Sequence, residues 1–398
     1  MVSQKRDAAI VGIYEYPKRK APGISSLQMK AECAARALAD AGLSWSDVDG
    51  LYDAQDGAGM SGLSLAEYFG FKPNVIDTTA VGGSSYEFHA AHAKRDIAAG
   101  KCKVALLTYG STAHSDSRRI GSMGGGMGGG AASPLSNMTD MWGTTLIANY
   151  AMVARRHMHQ YGTTSEQLAR ISVATRAHAM RNPEAVQAMT DLEFVGVNEI
   201  TVEDVLNSRM IADPLHLLEC CMVSDGGGAL VIASPEVARD TRKKPVWIIG
   251  SGEATKYSEN GGDLTASPAA PARPQAWAEA GVRPDEIDIA MIYDSFTITV
   301  LMMLEDLGFC KKGEGGAFVS EQRLRFDSPL KPALNTDGGG LSSNHPGMRG
   351  LFLLLEATRQ LRGESTSQRA GAKLAVAHGN GGMLATSHTG GTIILAGD

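Results

Sequence analysis

A chain of 398 residues with 43% hydrophobic content is long enough to bury large cores in two or more domains. Its formal net charge of −6 argues against nucleic acid as the main partner, because phosphate binding needs a basic surface. Five cysteines, two of them adjacent at Cys220 and Cys221, form no disulfide framework, and no apolar run approaches the ~20 residues of a membrane span. With no apolar signal-peptide core near the N-terminus either, the expected setting is a reducing cytoplasm.

In chain order, 8–13 is a short apolar strand and 27–41 an amphipathic helix, and Ala41-Gly42-Leu43 leads through Val48-Asp49 to Leu51-Tyr52-Asp53. Residues 81–100 read VGGSSYEFHAAHAKRDIAAG, a glycine-serine turn feeding a helix, followed by the apolar strand 104–110. The stretch 111–217 contains SMGGGMGGGAASP (122–134), read as a flexible lid or connector, since no Lys-Ser or Lys-Thr pair follows to make a nucleotide loop. Arginines there, Arg118, Arg119, Arg155 and Arg156, are candidates for an anionic ligand, although paired charges on helices are usually a solvated face.

The second half repeats the first. Ala280-Gly281-Val282 leads to Ile287-Asp288 and Ile292-Tyr293-Asp294, and Leu351 to Arg362 with Lys373 to His378 echo the helix and strand of 93–110. Residues 224–234 pair position for position with 387–397. Such a repeat implies two similar α/β halves, whose buried strands need helices on both faces. The halves are placed at 1–240, with an insertion over about 111–217, and at 241–398.

The turn and helix of 81–100, Tyr293-Asp-Ser-Phe296, Asn344-His-Pro-Gly347 and His378-Gly-Asn-Gly-Gly382 together resemble the thiolase superfamily, within it the lipid-transfer-protein or sterol-carrier type. The resemblance covers nearly the whole chain, including 162–185 and 218–234. It implies an α/β thiolase fold, a duplicated five-layer αβαβα arrangement with an inserted loop domain over an acyl-CoA tunnel. In that family a cysteine on the first turn is acylated, a His-Pro-Gly histidine activates it, and a second cysteine before the last glycines moves a proton. Counting back from Ile97 places Gly83 at the nucleophile position; a slip of one residue places Ser84 there. His378 stands at the second cysteine position, Tyr293 where the family has Asn or His, and only His345 matches unchanged.

The residues therefore predict a site without a thiolate. His345 precedes a proline in a loop and can donate a hydrogen bond to a thioester oxygen. His378, at a strand end, and Tyr293, beside Asp294, are the acid-base candidates, with packing roles as the bland alternatives; Tyr52-Asp53 in the first half argues for a structural role of Tyr293, against which the family's active-site Asn or His stands at the second-half position only. Gly83, Ser84 and Gly381 are the expected binding backbone, the turn at a helix start supplying oxyanion donors. No Gly-x-Ser-x-Gly elbow surrounds Ser84.

Such a set suits retro-aldol cleavage of a β-hydroxyacyl-CoA, which needs a base and an enolate site but no nucleophile. Steroid or other degradative side chains are the expected substrates, coenzyme A enters as part of the substrate with no bound cofactor, and the histidines and cysteines show no metal-ligand spacing. The resemblance also implies a homodimer and a small OB-fold partner of the DUF35 type. A thiolase-type acyltransferase using Ser84 or a partner's group, and a non-catalytic acyl-CoA-binding subunit, are the other classes left open.

Overall fold

The computed structural model describes residues 6–54, 60–116, 145–257, 262–384 and 387–398. Arg118, Arg119 and the glycine run 122–134 lie outside the described residues.

The first half contains β1 (Ala9–Glu15), α1 (Ser26–Ala41), β2 (Gly50–Tyr52), α2 (Gly62–Phe69), β3 (Val75–Asp77), α3 (Ser85–Ala98) and β4 (Val104–Ser111). Between β4 and the next sheet strand lie α4 (Leu146–Tyr161), α5 (Ser165–Ala179), α6 (Pro183–Asp191), α7 (Val202–Asn207) and a hairpin of β5 (Met210–Ala212) and β6 (Leu215–His216). Strand β7 (Gly226–Ala233) and the short α8 (Pro235–Ala238) follow. The second half runs β8 (Val246–Lys256), α9 (Ala269–Ala280), β9 (Ile289–Ile292), α10 (Thr297–Asp306), α11 (Gly315–Ser320), β10 (Ala333–Leu334), α12 (Gly339–Ser342), α13 (Gly350–Arg362), β11 (Leu374–Gly382) and β12 (His388–Ala396).

The strands hydrogen-bond in the order β10-β9-β11-β12-β8-β1-β7-β4-β2-β3. Read outward from the centre, the halves run 8-12-11-9-10 and 1-7-4-2-3, so every strand has a counterpart, as the internal repeat requires. The halves join by little backbone: β1 meets β8 only at Ala9–Trp247 and Ile10–Val246. Side-chain alternation along the strands then sorts the apolar residues into layers. Ile10, Leu107, Leu230, Ile248, Met291, Ala377 and Ile393 face one core shared with α3 and α13. Val11, Leu106, Val231, Ile249, Ile292, Val376 and Ile394 face the opposite side, packed with α1, α9 and α10. Outer helix, sheet, inner helices, sheet and outer helix are the five layers that the resemblance implies.

Local chemistry fixes the outer helices in the same way twice. Ser25 caps α1 by accepting from the Gln28 N–H, and Gly42 ends it in the left-handed conformation; Gly281 ends α9 likewise. A Cβ at Gly12 would lie 2.2 Å from the Ala37 carbonyl oxygen, and one at Gly250 2.4 Å from that of Ala276. Glycine at both places lets the outer helix approach its strand closely. No helix among the described residues is long and apolar enough to cross a membrane.

Candidate active site

Three chain segments meet at the amino end of α3. Tyr293 follows β9, continuing its parallel pairing through an N–H donated to the His378 carbonyl at 3.0 Å. Its side chain enters the inner core, where the hydroxyl lies 3.0 Å from His345 Nε2 and donates to the Gly347 carbonyl at 2.8 Å. The Arg349 backbone N–H points at the same oxygen from 3.4 Å. The two rings meet edge to face with centroids 5.4 Å apart. With its proton on Gly347, the phenol oxygen accepts from His345 and Arg349, two donors that would steady it as its proton leaves.

The first half holds the histidine loop. The His345 N–H donates to Ser224 Oγ at 3.0 Å, Tyr109 Oη donates to the Pro346 carbonyl at 2.8 Å, and Asn344 Nδ2 donates to Glu15 Oε1 at 3.0 Å. Within the second half one buried guanidinium joins both site residues. Arg349 lies 3.2 Å from Asp294, the neighbour of Tyr293, and 2.6 Å from Asp337, and it donates to the carbonyl of Asn344, the neighbour of His345, at 2.8 Å. Burial, reinforced by the Arg349 charge, lowers His345 to about 3, so its ring is neutral at physiological pH. Burial lifts the Tyr293 phenol well above its ordinary value. Burial also outweighs the pull of Arg349 on Asp294 and raises it to about 6.

Gly83 completes this group for a steric reason. A Cβ there would lie 2.4 Å from Tyr293 Cε2, 2.6 Å from Tyr293 Cζ and 2.4 Å from the Asn380 carbonyl oxygen. The tyrosine ring fills the space in which a nucleophile at position 83 would stand. Ser84 is fully buried and offers no replacement: its hydroxyl meets Thr389 Oγ1 at 2.7 Å and the Val81 carbonyl at 3.2 Å, neither of them a base. Gly381 packs directly on this turn, since a Cβ on it would lie 1.9 Å from the Val81 carbonyl oxygen and 2.9 Å from Ser84 Oγ.

His378 stands apart from the pair. Along β11, Ala375 and Ala377 face the inner core and Val376 the outer one, so His378 leaves the sheet on the face opposite Tyr293. There its Nδ1 lies 2.8 Å from Thr392 Oγ1, its Nε2 has no partner, and burial lowers it to about 3. The residue facing inward at that strand end is Gly379. The expectation that His378 converges with Tyr293 and His345 is thus corrected by one residue of strand alternation. Its outer-face neighbours include Asn380, which bonds His388 and donates to Tyr150 Oη at 3.2 Å.

Arg155 and Arg156 stay near the surface, Arg155 paired with Asp213 and Arg156 bonded to Gln160 at 2.9 Å. A surface cleft of about 620 Å³ is lined by Arg273, Asp306, Cys310 and Lys312 among others and includes none of Gly83, Tyr293 and His345; Lys312 is held by Glu305 and Asp306. Arg349 is the site residue that the sequence reading passed over. Its signal was a cation four residues after His345, just before the apolar run of residues 351–355.

Residues 250–396 match the family model described as "Thiolase C-terminal domain-like". The chain is 36% identical over 371 residues to a steroid side-chain-cleaving aldolase of Thermomonospora curvata, covering 91% of this chain and 92% of the relative. The chain belongs to the thiolase superfamily. A 17-hydroxy-3-oxo-4-pregnene-20-carboxyl-CoA lyase of Mycobacterium tuberculosis is 34% identical, covering 92% and 94% of the two chains. Among solved structures, the Ltp2-ChsH2(DUF35) aldolase superposes with a TM-score of 0.86 at 32% identity, covering 99% of each chain. This thiolase-superfamily chain therefore lies among relatives that include lyases, in the lipid-transfer and sterol-carrier branch that its motifs resemble.

Proposed function

We propose that this protein is a carbon–carbon lyase that cleaves a β-hydroxyacyl-CoA by a retro-aldol reaction. The observation that carries the reading is the Tyr293 ring in the space of a side chain at position 83. Thiolysis needs a thiolate there, whereas retro-aldol cleavage needs a group to take the β-hydroxyl proton, and a phenol now occupies the place. Tyr293, once its own proton has left and as a phenolate held by the His345 and Arg349 N–H donors, takes that proton as the Cα–Cβ bond breaks. The bond electrons pass to the thioester as an enolate, held by backbone N–H groups of the turn at Gly83 and Ser84, with Gly381 against it, while the single N–H of the neutral His345 ring stays on Tyr293. A ketone or aldehyde leaves from the β-carbon, and a proton returned to the α-carbon gives the shorter acyl-CoA.

Coenzyme A is part of the substrate in this scheme, and no residue is assigned to a separate cofactor. The lyases among the relatives favour a steroid side chain as the acyl group. A cytoplasmic location, a homodimer and an OB-fold partner of the DUF35 type belong to the same proposal; the complex named in the matched structure supports the partner.

The test is cleavage of steroid and simpler β-hydroxyacyl-CoA thioesters, with and without a DUF35-type partner, beside intact-protein mass after incubation with acetyl-CoA. The expected result is release of a carbonyl product and a shorter acyl-CoA without any gain in protein mass. An added acyl group on the protein would overturn the reading in favour of an acyltransferase. CoA binding without cleavage under every pairing would leave a binding subunit.

A further inference from the structure

One group in the inner layer has no part in the chemistry above. Glu87 lies on α3, one turn beyond Gly83, and is fully buried. Neither of its carboxyl oxygens has a hydrogen-bond partner. Burying an unpartnered carboxyl is costly. Space for it is nevertheless left by glycines on three separate elements. A Cβ at Gly379 of β11 would lie 2.0 Å from Glu87 Oε2, one at Gly350 of α13 2.4 Å from the same oxygen, and one at Gly391 of β12 2.6 Å from Glu87 Cβ.

That niche adjoins the reacting centre. The point 2.4 Å from Glu87 Oε2 at Gly350 is also 2.4 Å from the Gly83 carbonyl oxygen, so the two oxygens are at most twice that distance apart. The point at Gly379 is 2.7 Å from Ser84 Cα. The carboxyl thus sits behind the turn assigned to the enolate oxygen, on the face that holds Tyr293 and at the strand end where Gly379, not His378, faces inward.

Retro-aldol cleavage moves two protons, one off the β-hydroxyl oxygen and one onto the α-carbon. Tyr293 serves the β-hydroxyl, and the enolate needs a neutral acid for its α-carbon. We propose that Glu87 is that acid. This inference rests on the lyase reading and adds the second proton-transfer group to it. As the enolate collapses, its α-carbon takes the carboxyl proton and forms a C–H bond, leaving a carboxylate. The proton removed from the β-hydroxyl, carried on Tyr293, restores the acid once product leaves and returns Tyr293 to its phenolate, so no co-reactant is consumed. Burial holds the Glu87 carboxyl well above the usual carboxylate range, which keeps it protonated between turnovers.

The experiment follows exchange of the α-protons of propionyl-CoA in deuterated water by NMR, for the unaltered protein and Glu87→Gln, alongside cleavage rates and thermal unfolding. Glutamine keeps the shape of the side chain and cannot deliver and regain a proton. The expected result is a loss of exchange and turnover of about a hundredfold or more, with propionyl-CoA binding and the unfolding midpoint kept. Unchanged exchange in Glu87→Gln overturns the inference, since a packing role alone survives that change. Should Glu87→Gln fail to fold, Glu87→Ala with added formate is measured instead; exchange restored by formate supports the acid, and exchange already full without it overturns the acid. Exchange without cleavage in the unaltered protein defeats the lyase reading while leaving Glu87 testable. No exchange in the unaltered protein overturns the inference, and cleavage alone then decides the lyase reading.

Discussion

The duplicated fold places a Tyr-Asp pair at the end of equivalent strands, Tyr52-Asp53 after β2 and Tyr293-Asp294 after β9, and only one pair is equipped for chemistry. Tyr52 donates to Asp96 at 2.9 Å, near the far end of α3, and Asp53 pairs with Lys30 at 2.9 Å. The Tyr293 hydroxyl instead meets His345 Nε2 at 3.0 Å, at the end of α3 that carries Gly83, and Asp294 pairs with Arg349. Both tyrosines lie in the same inner core. Residue type and strand position are therefore shared, and the difference comes from what the long second-half loop before α13 brings to the hydroxyl.

Substituting the two tyrosines breaks the comparison most sharply. Tyr293→Phe is expected to lower the cleavage rate by about a thousandfold, within the range for removing a general acid or base. Tyr52→Phe should leave the rate alone and cost about 1 kcal/mol of stability, the worth of one hydrogen bond, read from urea unfolding. Equal rates for both variants would return Tyr293 to a packing role.

The aspartates sharpen the same contrast. Asp294→Asn and Asp53→Asn each remove a carboxylate paired with a buried cation, Arg349 keeping Asp337, and each should cost about 2 kcal/mol in chemical denaturation. Only Asp294→Asn is expected to lower kcat as well, because Arg349 ties Tyr293 to the His345 loop. Next in size, His345→Ala should lower kcat by about a hundredfold, the scale of a lost donor to an oxyanion, here the Tyr293 phenolate, with CoA binding retained. His378→Ala, on the other face of the sheet, should change kcat only a few-fold.

Acid sensitivity gives the smallest effect. His345 and His378 sit at about 3 in the fold, below the ordinary histidine value near 6.5. The unfolded chain therefore binds more protons between those values, so stability is complete above about pH 6.5 and falls as pH drops toward 3. Each ring should contribute about 1 kcal/mol of loss by pH 5.5, seen as a falling urea midpoint. His378→Asn should flatten that fall without the loss of activity that His345→Asn brings. An unchanged slope in both variants would contradict the buried neutral state.

Much of the fold was legible because it depends on patterns that recur along the chain. Alternating buried strands, helices ended by Gly42 and Gly281, and the match of 224–234 with 387–397 specify two similar halves. Motif spacing also named Tyr293, His345 and the Gly83 turn, which the structure brings together. His378 was misplaced because a side chain's face depends on strand phase, and one residue of phase moves it through the sheet. Glu87 carried a weaker signal, standing four residues after Gly83 on one helix face, but its lack of partners is invisible in a sequence.

The sequence by itself determined the duplicated α/β layers, the absence of a thiolate at the turn and the identity of the loop histidine. These follow from local periodicity and from which atoms a side chain possesses. Only the tertiary structure decided that the Tyr293 ring fills the space beside Gly83, that Arg349 clamps two distant loops, and that Glu87 is buried without a partner. Each of those depends on segments far apart in the chain competing for one volume, and the volume exists only once the two halves have closed on α3 and α13.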